Sequence, residues 1–320
     1  MISYFLALLA AVVNATGNVL NRKAARDEPV QAEFRLRLIV DLLHKKIWLA
    51  AVGLMILSFA VVSAALATGQ LASVQLVVVL ELPMTIIGGS LVFHTRISRA
   101  EGLAIGAMTA GVIGLVALLD PRAGPPTTIA PEVWILGSAA NIGAVLVLFM
   151  AARAHPRPTT RAALLGMATG LGYGLTAAYT KGMADQFNAG GIGLAFSTWQ
   201  LYATMTAGAL SAWLLENAYQ AGPLGASQPG ITLVDPCIST IWGVLVFGEQ
   251  VNHGLLLALT PLPLIAIGAG VVLLSRTPIL DETMQPRPVK PAVPAHRPAR
   301  PSGVPALAAV PLPPEDEAAQ

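Results

Sequence analysis

Residues 71–93, LASVQLVVVLELPMTIIGGSLVF, decide the fold class of this 320-residue chain. The stretch is long and apolar enough to cross a bilayer, which takes roughly 20 residues of helix. At its middle, Glu81 stands two residues before Pro83. A carboxyl group in hydrocarbon is costly, so it usually faces a water-filled cavity or a partner. The stretch therefore predicts a membrane helix with a functional polar site at its centre.

A second stretch, residues 223–247, PLGASQPGITLVDPCISTIWGVLVF, has the same design, with Asp235 directly before Pro236. Proline removes a backbone hydrogen bond and kinks or breaks a helix. We therefore predict helix breaks at Pro83 and Pro236. Secondary transporters place their binding sites at broken helices near the midplane. The pattern favours Asp235 and Glu81 as residues that bind a substrate or a coupling ion.

The two stretches belong to an internal repeat. Residues 69–75 align with residues 222–228, and the same offset brings the two prolines into register and the two acids to within one position. The charge pattern described below places the loop after Phe93 and the loop after Phe247 on opposite sides of the membrane. The repeat units are therefore predicted to be inverted, as in many transporters.

Composition predicts an all-α integral membrane protein. The chain is 55% hydrophobic and 11% charged, with a mean hydropathy of +0.67, whereas soluble domains are about 25% charged. Nine runs are long and apolar enough to be transmembrane helices: about 2–20, 47–67, 71–93, 102–119, 132–152, 162–180, 194–215, 223–247 and 255–275.

The distribution of basic residues predicts the orientation. Of the 19 Lys and Arg residues, only Arg122 and Lys181 fall on one side of the nine predicted spans. Under the positive-inside rule the other side is cytoplasmic. We therefore expect a plasma-membrane protein with its N-terminus outside and its C-terminus in the cytoplasm.

Two segments are predicted to lie outside the membrane. The charged cytoplasmic segment 21–46 is too polar to span, and residues 27–46 form either an interfacial amphipathic helix or a solvated loop. Residues 277–320 are rich in Pro and Ala, a composition that favours a disordered tail.

Further polar and aromatic residues are candidates for lining a cavity. Asn14 and Asn18 share a face of the first span, and a stripe on the eighth span repeats every seven residues through Gln228, Asp235 and Trp242. The remaining candidates lie on spans three, six and seven: Gln75, Tyr173, Gln200 and Tyr202. Each of these side chains has an alternative role in binding neighbouring helices together.

The charge inside the spans restricts the substrate class. No Lys or Arg is predicted within a span, which weighs against phosphorylated substrates. Two carboxyl groups favour protons, cations or amine-bearing metabolites. Mg²⁺ is an alternative, with Asp235 and Glu81 as its ligands, because it binds through one or two carboxylates and keeps its waters.

The chain resembles the drug/metabolite transporter superfamily. Residues 65–118 are similar to the last three spans of an EamA-type repeat, and residues 222–252 look like the same unit again. That unit carries a proline in its fourth helix and a Gly-Glu pair at the helix end, which Pro236 and Gly248-Glu249 match. The nine-span layout is similar to the NIPA-type magnesium transporter branch. The resemblance implies EamA-like repeats at 1–126 (spans one to four) and 127–276 (spans five to nine), followed by the tail at 277–320.

The leading functional prediction is a secondary transporter that moves a small solute by alternating access, with proton coupling as an option. The alternatives are a divalent-cation transporter and a non-transporting scaffold or accessory protein. No catalytic motif or phosphate loop appears, so we expect neither enzyme activity nor a cofactor. The expected partners are the lipid bilayer and a small-molecule or cation substrate, and no nucleic acid is expected. A homodimer is an alternative to a monomer.

Overall fold

The computed structural model describes residues 1–26, 46–93, 96–124, 129–252 and 254–275. Residues 27–45 of the predicted cytoplasmic segment and the whole predicted tail lie outside these residues, whereas residues 21–26 are helical. In the described parts the regular structure is helical, and the helices are α1 Ile2–Arg26, α2 Lys46–Thr68, α3 Leu71–Val78, α4 Glu81–Phe93, α5 Arg99–Leu119, α6 Pro131–Ala154, α7 Pro158–Ser197, α8 Trp199–Ala221, α9 Leu224–Leu245, α10 Leu255–Ala258 and α11 Pro261–Ser275.

Five spans in the described residues are long and apolar enough to cross a membrane, which indicates a helical membrane protein. They are Ile2–Leu20, Leu49–Thr68, Leu71–Val92, Arg99–Leu119 and Pro131–Ala154. Pro261–Ser275 is apolar but shorter. Helices also occupy the other predicted runs, so the count of nine spans stays a prediction.

Two details of the helices differ from the sequence prediction. The seventh run, 194–215, crosses a helix boundary, because α7 ends at Ser197 and α8 begins at Trp199. α7 itself is interrupted at Gly190 and Gly191. Gly191 has a φ of +69°, a left-handed backbone conformation that glycine adopts without steric cost.

The helices pack around shared apolar clusters and leave wide apolar surfaces uncovered. The largest cluster joins α1, α2, α3, α6, α7 and α9. A second cluster joins α3 and α5 to α11. In contrast, only 11% of the α6 span is buried. An apolar helix with so little protein contact is suited to a lipid environment.

The bundle has two ends. The Glu249 end carries residues 120–124 and 246–252, which pair through an isolated bridge between Arg122 and Gln250. The Arg153 end carries residues 155–157 between α6 and α7. α7 runs from the Arg153 end, where it begins, to the Glu249 end.

Candidate functional site

The first acidic position lies directly after a break in the helix. Pro83 has no N–H to donate to the carbonyl of Val79, and the N–H of Leu82 donates to it instead at 3.4 Å. Residues 79–80 therefore separate α3 from α4, and Glu81 is the first residue of α4. The helix therefore breaks just before the proline.

The second acidic position lies in a helix that does not break. α9 contains Pro236 and continues through it, so the prediction of a break there is wrong. A proline withholds only its own N–H, and a membrane helix continues through it where neighbouring helices support it. α7 gives that support at close range: a Cβ on Gly170 or Gly174 would lie 3.2 Å from a backbone atom of Asp235.

Four side chains from four helices converge in what we call the carboxyl cluster: Asn18 of α1, Glu81 of α4, Tyr173 of α7 and Asp235 of α9. The Asn18 amide donates to Glu81 Oε1 at 2.8 Å. The Ser239 hydroxyl donates to Asp235 Oδ1 at 3.2 Å. Glu81 and Asp235 interact electrostatically, and both interact with the Tyr173 hydroxyl.

The carboxyl cluster has a clear chemical capacity. Two carboxyl groups that interact electrostatically repel each other when both are charged, and a proton or a cation relieves that repulsion. Glu81 and Asp235 are only partly buried, so each retains some access to its surroundings. The arrangement can therefore exchange protons or hold a positively charged group.

Two further polar residues lie near this cluster and were not predicted. Glu216 and Tyr219 of α8 both interact electrostatically with Tyr173. The predicted span ended at residue 215, whereas α8 continues to Ala221. Their spacing of three residues on one helical face was the available signal, and the early end of the predicted span hid it.

A cavity of about 1120 Å³ lies at the Glu249 end, and we call it the wide cavity. Its walls combine aromatic, charged and amide side chains. They include Trp134, Tyr179, Lys181, Asp185, Gln200 and Glu249. Gln200, which the sequence suggested as a cavity-lining residue, is among them. The four residues of the carboxyl cluster do not line this cavity.

Three aromatic rings pack together at the wide cavity. The Trp134 ring lies 5.9 Å from the ring of Tyr179 and 5.6 Å from that of Trp242, centroid to centroid. Along α9, Trp242 is two turns beyond Asp235, and along α7, Tyr179 follows Tyr173 toward the Glu249 end. We call these three rings the aromatic layer: Trp134 and Tyr179 line the wide cavity, and Trp242 packs against both. The Trp242 indole N–H donates to the Asn141 amide oxygen at 3.2 Å when that amide is oriented to match its neighbours.

Glu249 joins the two halves of the chain at the rim of the wide cavity. Its carboxylate accepts hydrogen bonds from the backbone N–H groups of Leu71 and Ala72, the latter at 3.0 Å. These groups form the N-terminus of α3, where a negative charge is favourable. The side chain is buried, and burial raises the pKa of Glu249 above its usual value.

Side chains of α7 hold the C-terminal end of α2, the helix before α3. Lys181 donates to the carbonyl of Leu66 at 2.9 Å and to Asp185 at 2.8 Å. Asn188 donates to the carbonyl of Ala67 at 2.7 Å. Both acceptors lie in the last turn of α2, where carbonyl groups lack intrahelical donors. Residues of the second half therefore hold both sides of the linker between α2 and α3. Lys181 and Asn188 bond to the end of α2, and Glu249 bonds to the start of α3.

One predicted cavity-lining residue lies elsewhere. Tyr202 is 60% exposed on α8, and its hydroxyl donates to the carbonyl of Phe196 at 3.3 Å. It is two residues from Gln200, which places the two side chains on nearly opposite faces of the helix. The prediction that Tyr202 lines the cavity is wrong for this reason.

The remaining predicted residues lie on the predicted helices but outside the close contacts of the carboxyl cluster. Gln228 of α9 has a buried Oε1 that no residue in the described ranges bonds. Gln75 is buried on α3, and Asn14 is partly buried one turn from Asn18 on α1. Among the residues that the structure describes, no group of three or more His, Cys, Asp or Glu side chains is placed to hold a metal ion.

Comparison with known proteins gives one relative at low identity. The chain is 26% identical over 250 residues to an uncharacterised protein of Corynebacterium glutamicum, an alignment that covers 78% of this chain and 86% of that protein. No protein-family model matches the chain. No solved structure matches it either.

Proposed function

We propose that this membrane protein is a secondary transporter that moves a small, positively charged solute by alternating access. The carboxyl cluster is its substrate or coupling-ion site. One observation carries the proposal: Glu81 from the first half and Asp235 from the second half interact electrostatically inside a membrane-type helical bundle. Acids inside membrane bundles typically mark a route for ions or protons.

The packing between the two halves supports an inverted-repeat architecture. α3 and α9 begin at corresponding positions of the proposed repeat and pack against each other. α5 packs against α11 in the same way. A Cβ on Gly111 would lie 2.6 Å from Ile267, and a Cβ on Gly270 would lie 2.5 Å from Met108. Such reciprocal contacts are typical of two units related by a pseudo-twofold axis.

The wide cavity supports a vestibule on one side of this site. Under the proposed orientation in the plasma membrane, with the N-terminus outside, the Glu249 end faces outward. The aromatic layer then separates the external vestibule from the carboxyl cluster. Movement of the two halves would open the cluster to each side in turn, with Gln228 on the route toward the cytoplasm.

The test is flux in proteoliposomes that contain a pH-sensitive dye. The panel comprises Mg²⁺, other divalent cations, amino acids and cationic amine drugs. Asp235→Asn and Glu81→Gln are compared with wild type and with Glu132→Gln, which removes an exposed carboxylate on α6. We expect solute-dependent proton movement in wild type and in the Glu132 variant, and its loss in both cluster variants.

Other outcomes would redirect or overturn the proposal. Mg²⁺ uptake that depends on the two carboxylates and moves no protons would establish the divalent-cation alternative. Flux that survives both cluster substitutions would remove the site. No flux from correctly folded protein across the panel would favour the scaffold alternative.

A further inference from the structure

A second cavity lies at the Arg153 end, opposite the wide cavity. Its volume is about 500 Å³, and it lies between α6, α7 and α8. We call it the arginine cavity. Its lining combines two arginines with aromatic and amide side chains: Phe149, Arg153, Arg161, Trp213, Asn217 and Gln220. None of these residues takes part in the carboxyl cluster or its contacts.

The two arginines present uncompensated positive charge. In the part of the chain that the structure describes, neither Arg153 nor Arg161 has an acidic partner within ion-pair distance. Glu216 is exposed on the adjacent face of α8 and does not line the cavity. The Arg153 guanidinium lies 5.8 Å from the centroid of the Phe149 ring. This stacking orients the guanidinium and leaves its N–H donors available.

The walls of the arginine cavity change from polar to apolar. Arg153 and Arg161 are exposed at its rim, while Ala152 and Leu165 are buried in its wall. Trp213 is 52% exposed, and its ring lies 5.7 Å from that of Phe149. A half-exposed tryptophan beside arginines is typical of the level at which lipid headgroups meet acyl chains.

We propose that the arginine cavity binds an anionic phospholipid of the adjacent leaflet, with the headgroup phosphate on Arg153 and Arg161. The arginine forks match phosphate oxygens. Asn217 and Gln220 add hydrogen-bonding capacity at the rim, and Phe149, Trp213 and Leu165 accept the start of an acyl chain. Basic pockets between membrane helices bind such headgroups. The lipid joins α6, α7 and α8, and the inference does not depend on transport.

The experiment is native mass spectrometry of the full chain in detergent. Phosphatidylglycerol and phosphatidylcholine are added in separate titrations. The double variant Arg153→Gln with Arg161→Gln is compared with wild type and with Arg99→Gln, which removes an exposed arginine at the start of α5. We expect phosphatidylglycerol to bind wild type and Arg99→Gln at least about tenfold better than it binds the double variant. Phosphatidylcholine should bind all three weakly.

Two results would overturn the proposal. One is equal retention of phosphatidylglycerol by the double variant and wild type. The other comes from thermal unfolding: if glycerol 3-phosphate alone raises the unfolding temperature of the protein as much as phosphatidylglycerol does, the cavity is a site for soluble anions. Circular dichroism checks the fold of the double variant. The single variant Arg161→Gln, with an expected intermediate loss of lipid binding, keeps the test decisive should the double variant misfold.

Discussion

The two halves of the chain place an acid beside a proline in two different ways. In the first half the helix breaks, and Glu81 begins a new helix with its carboxylate bonded to Asn18 of another helix. In the second half the helix continues, and Asp235 bonds to Ser239 of the same helix.

The difference shows that the surroundings of a proline decide its effect. α9 is supported by close backbone contact with α7 at Gly170 and Gly174. α4 has no comparable contact at Gly88, where a Cβ would lie 3.6 Å from Val19, an ordinary packing distance. Both acids thus accept a side-chain hydrogen bond, and Asp235 also lies against the backbone of α7.

The largest expected effect is the loss of flux when either acid of the carboxyl cluster is neutralised. If Glu81 and Asp235 form one site, each single amide variant should lower flux by about tenfold or more. The double variant should then be no worse than the poorer single variant, because residues that act as a unit are not additive. Flux of all four proteins in the proteoliposome assay measures this. Multiplicative losses would instead separate the two acids into independent sites.

A smaller effect is expected from packing. Gly174→Ala should destabilise the fold by about 1–3 kcal/mol, because the new methyl group must displace well-packed atoms. Its Cβ would lie 2.9 Å from Ile238 Cβ.

Gly88→Ala is the matched control in the first half, and alanine there should be neutral or slightly stabilising. Thermal unfolding in detergent measures both variants. Equal unfolding temperatures would refute the proposed difference in support.

The hydrogen bonds of the two acids should differ in the same assay. Asn18→Ala removes the 2.8 Å bond to Glu81. We expect a loss near the upper end of the range for membrane hydrogen bonds, about 1.7 kcal/mol. Ser239→Ala removes the longer, same-helix bond to Asp235, and its loss should be near the average of about 0.6 kcal/mol. The reverse order would contradict the expectation that the bond between Asn18 and Glu81 is the stronger of the two.

The smallest expected effect concerns Glu249, which links the halves. Burial raises the pKa of Glu249 in the folded protein, so the unfolded chain releases this proton first as pH rises. Between the unfolded pKa of about 4.3 and the raised folded value, the folded state binds more protons, and stability falls with increasing pH.

Glu249→Gln should lack this fall. Unfolding temperatures from about pH 4 to about pH 7 test this, with Glu132→Gln as the control for an exposed carboxylate. Parallel curves for wild type and Glu249→Gln would show that Glu249 does not contribute to the pH dependence.

The sequence identified some parts of this site better than others. The position of Glu81 at a helix break followed from a proline that lacks its N–H, a local effect that sequence reasoning captures. The error at Pro236 arose because support from α7 is a tertiary contact. The error at Tyr202 arose within one helix, where its distance of two residues from Gln200 already indicated the opposite face. Glu216 and Tyr219 were missed because the predicted span ended too early.

The sequence by itself determined that apolar helices form and that two acids lie at the centre of such stretches. Period, length and hydropathy are local properties, so they can be read along the chain. Only the tertiary structure decided that Glu81 and Asp235 interact, that Trp242 packs against Trp134 of the wide cavity, and that Glu249 caps α3. These relations join residues more than a hundred positions apart, and close packing between helices sets them.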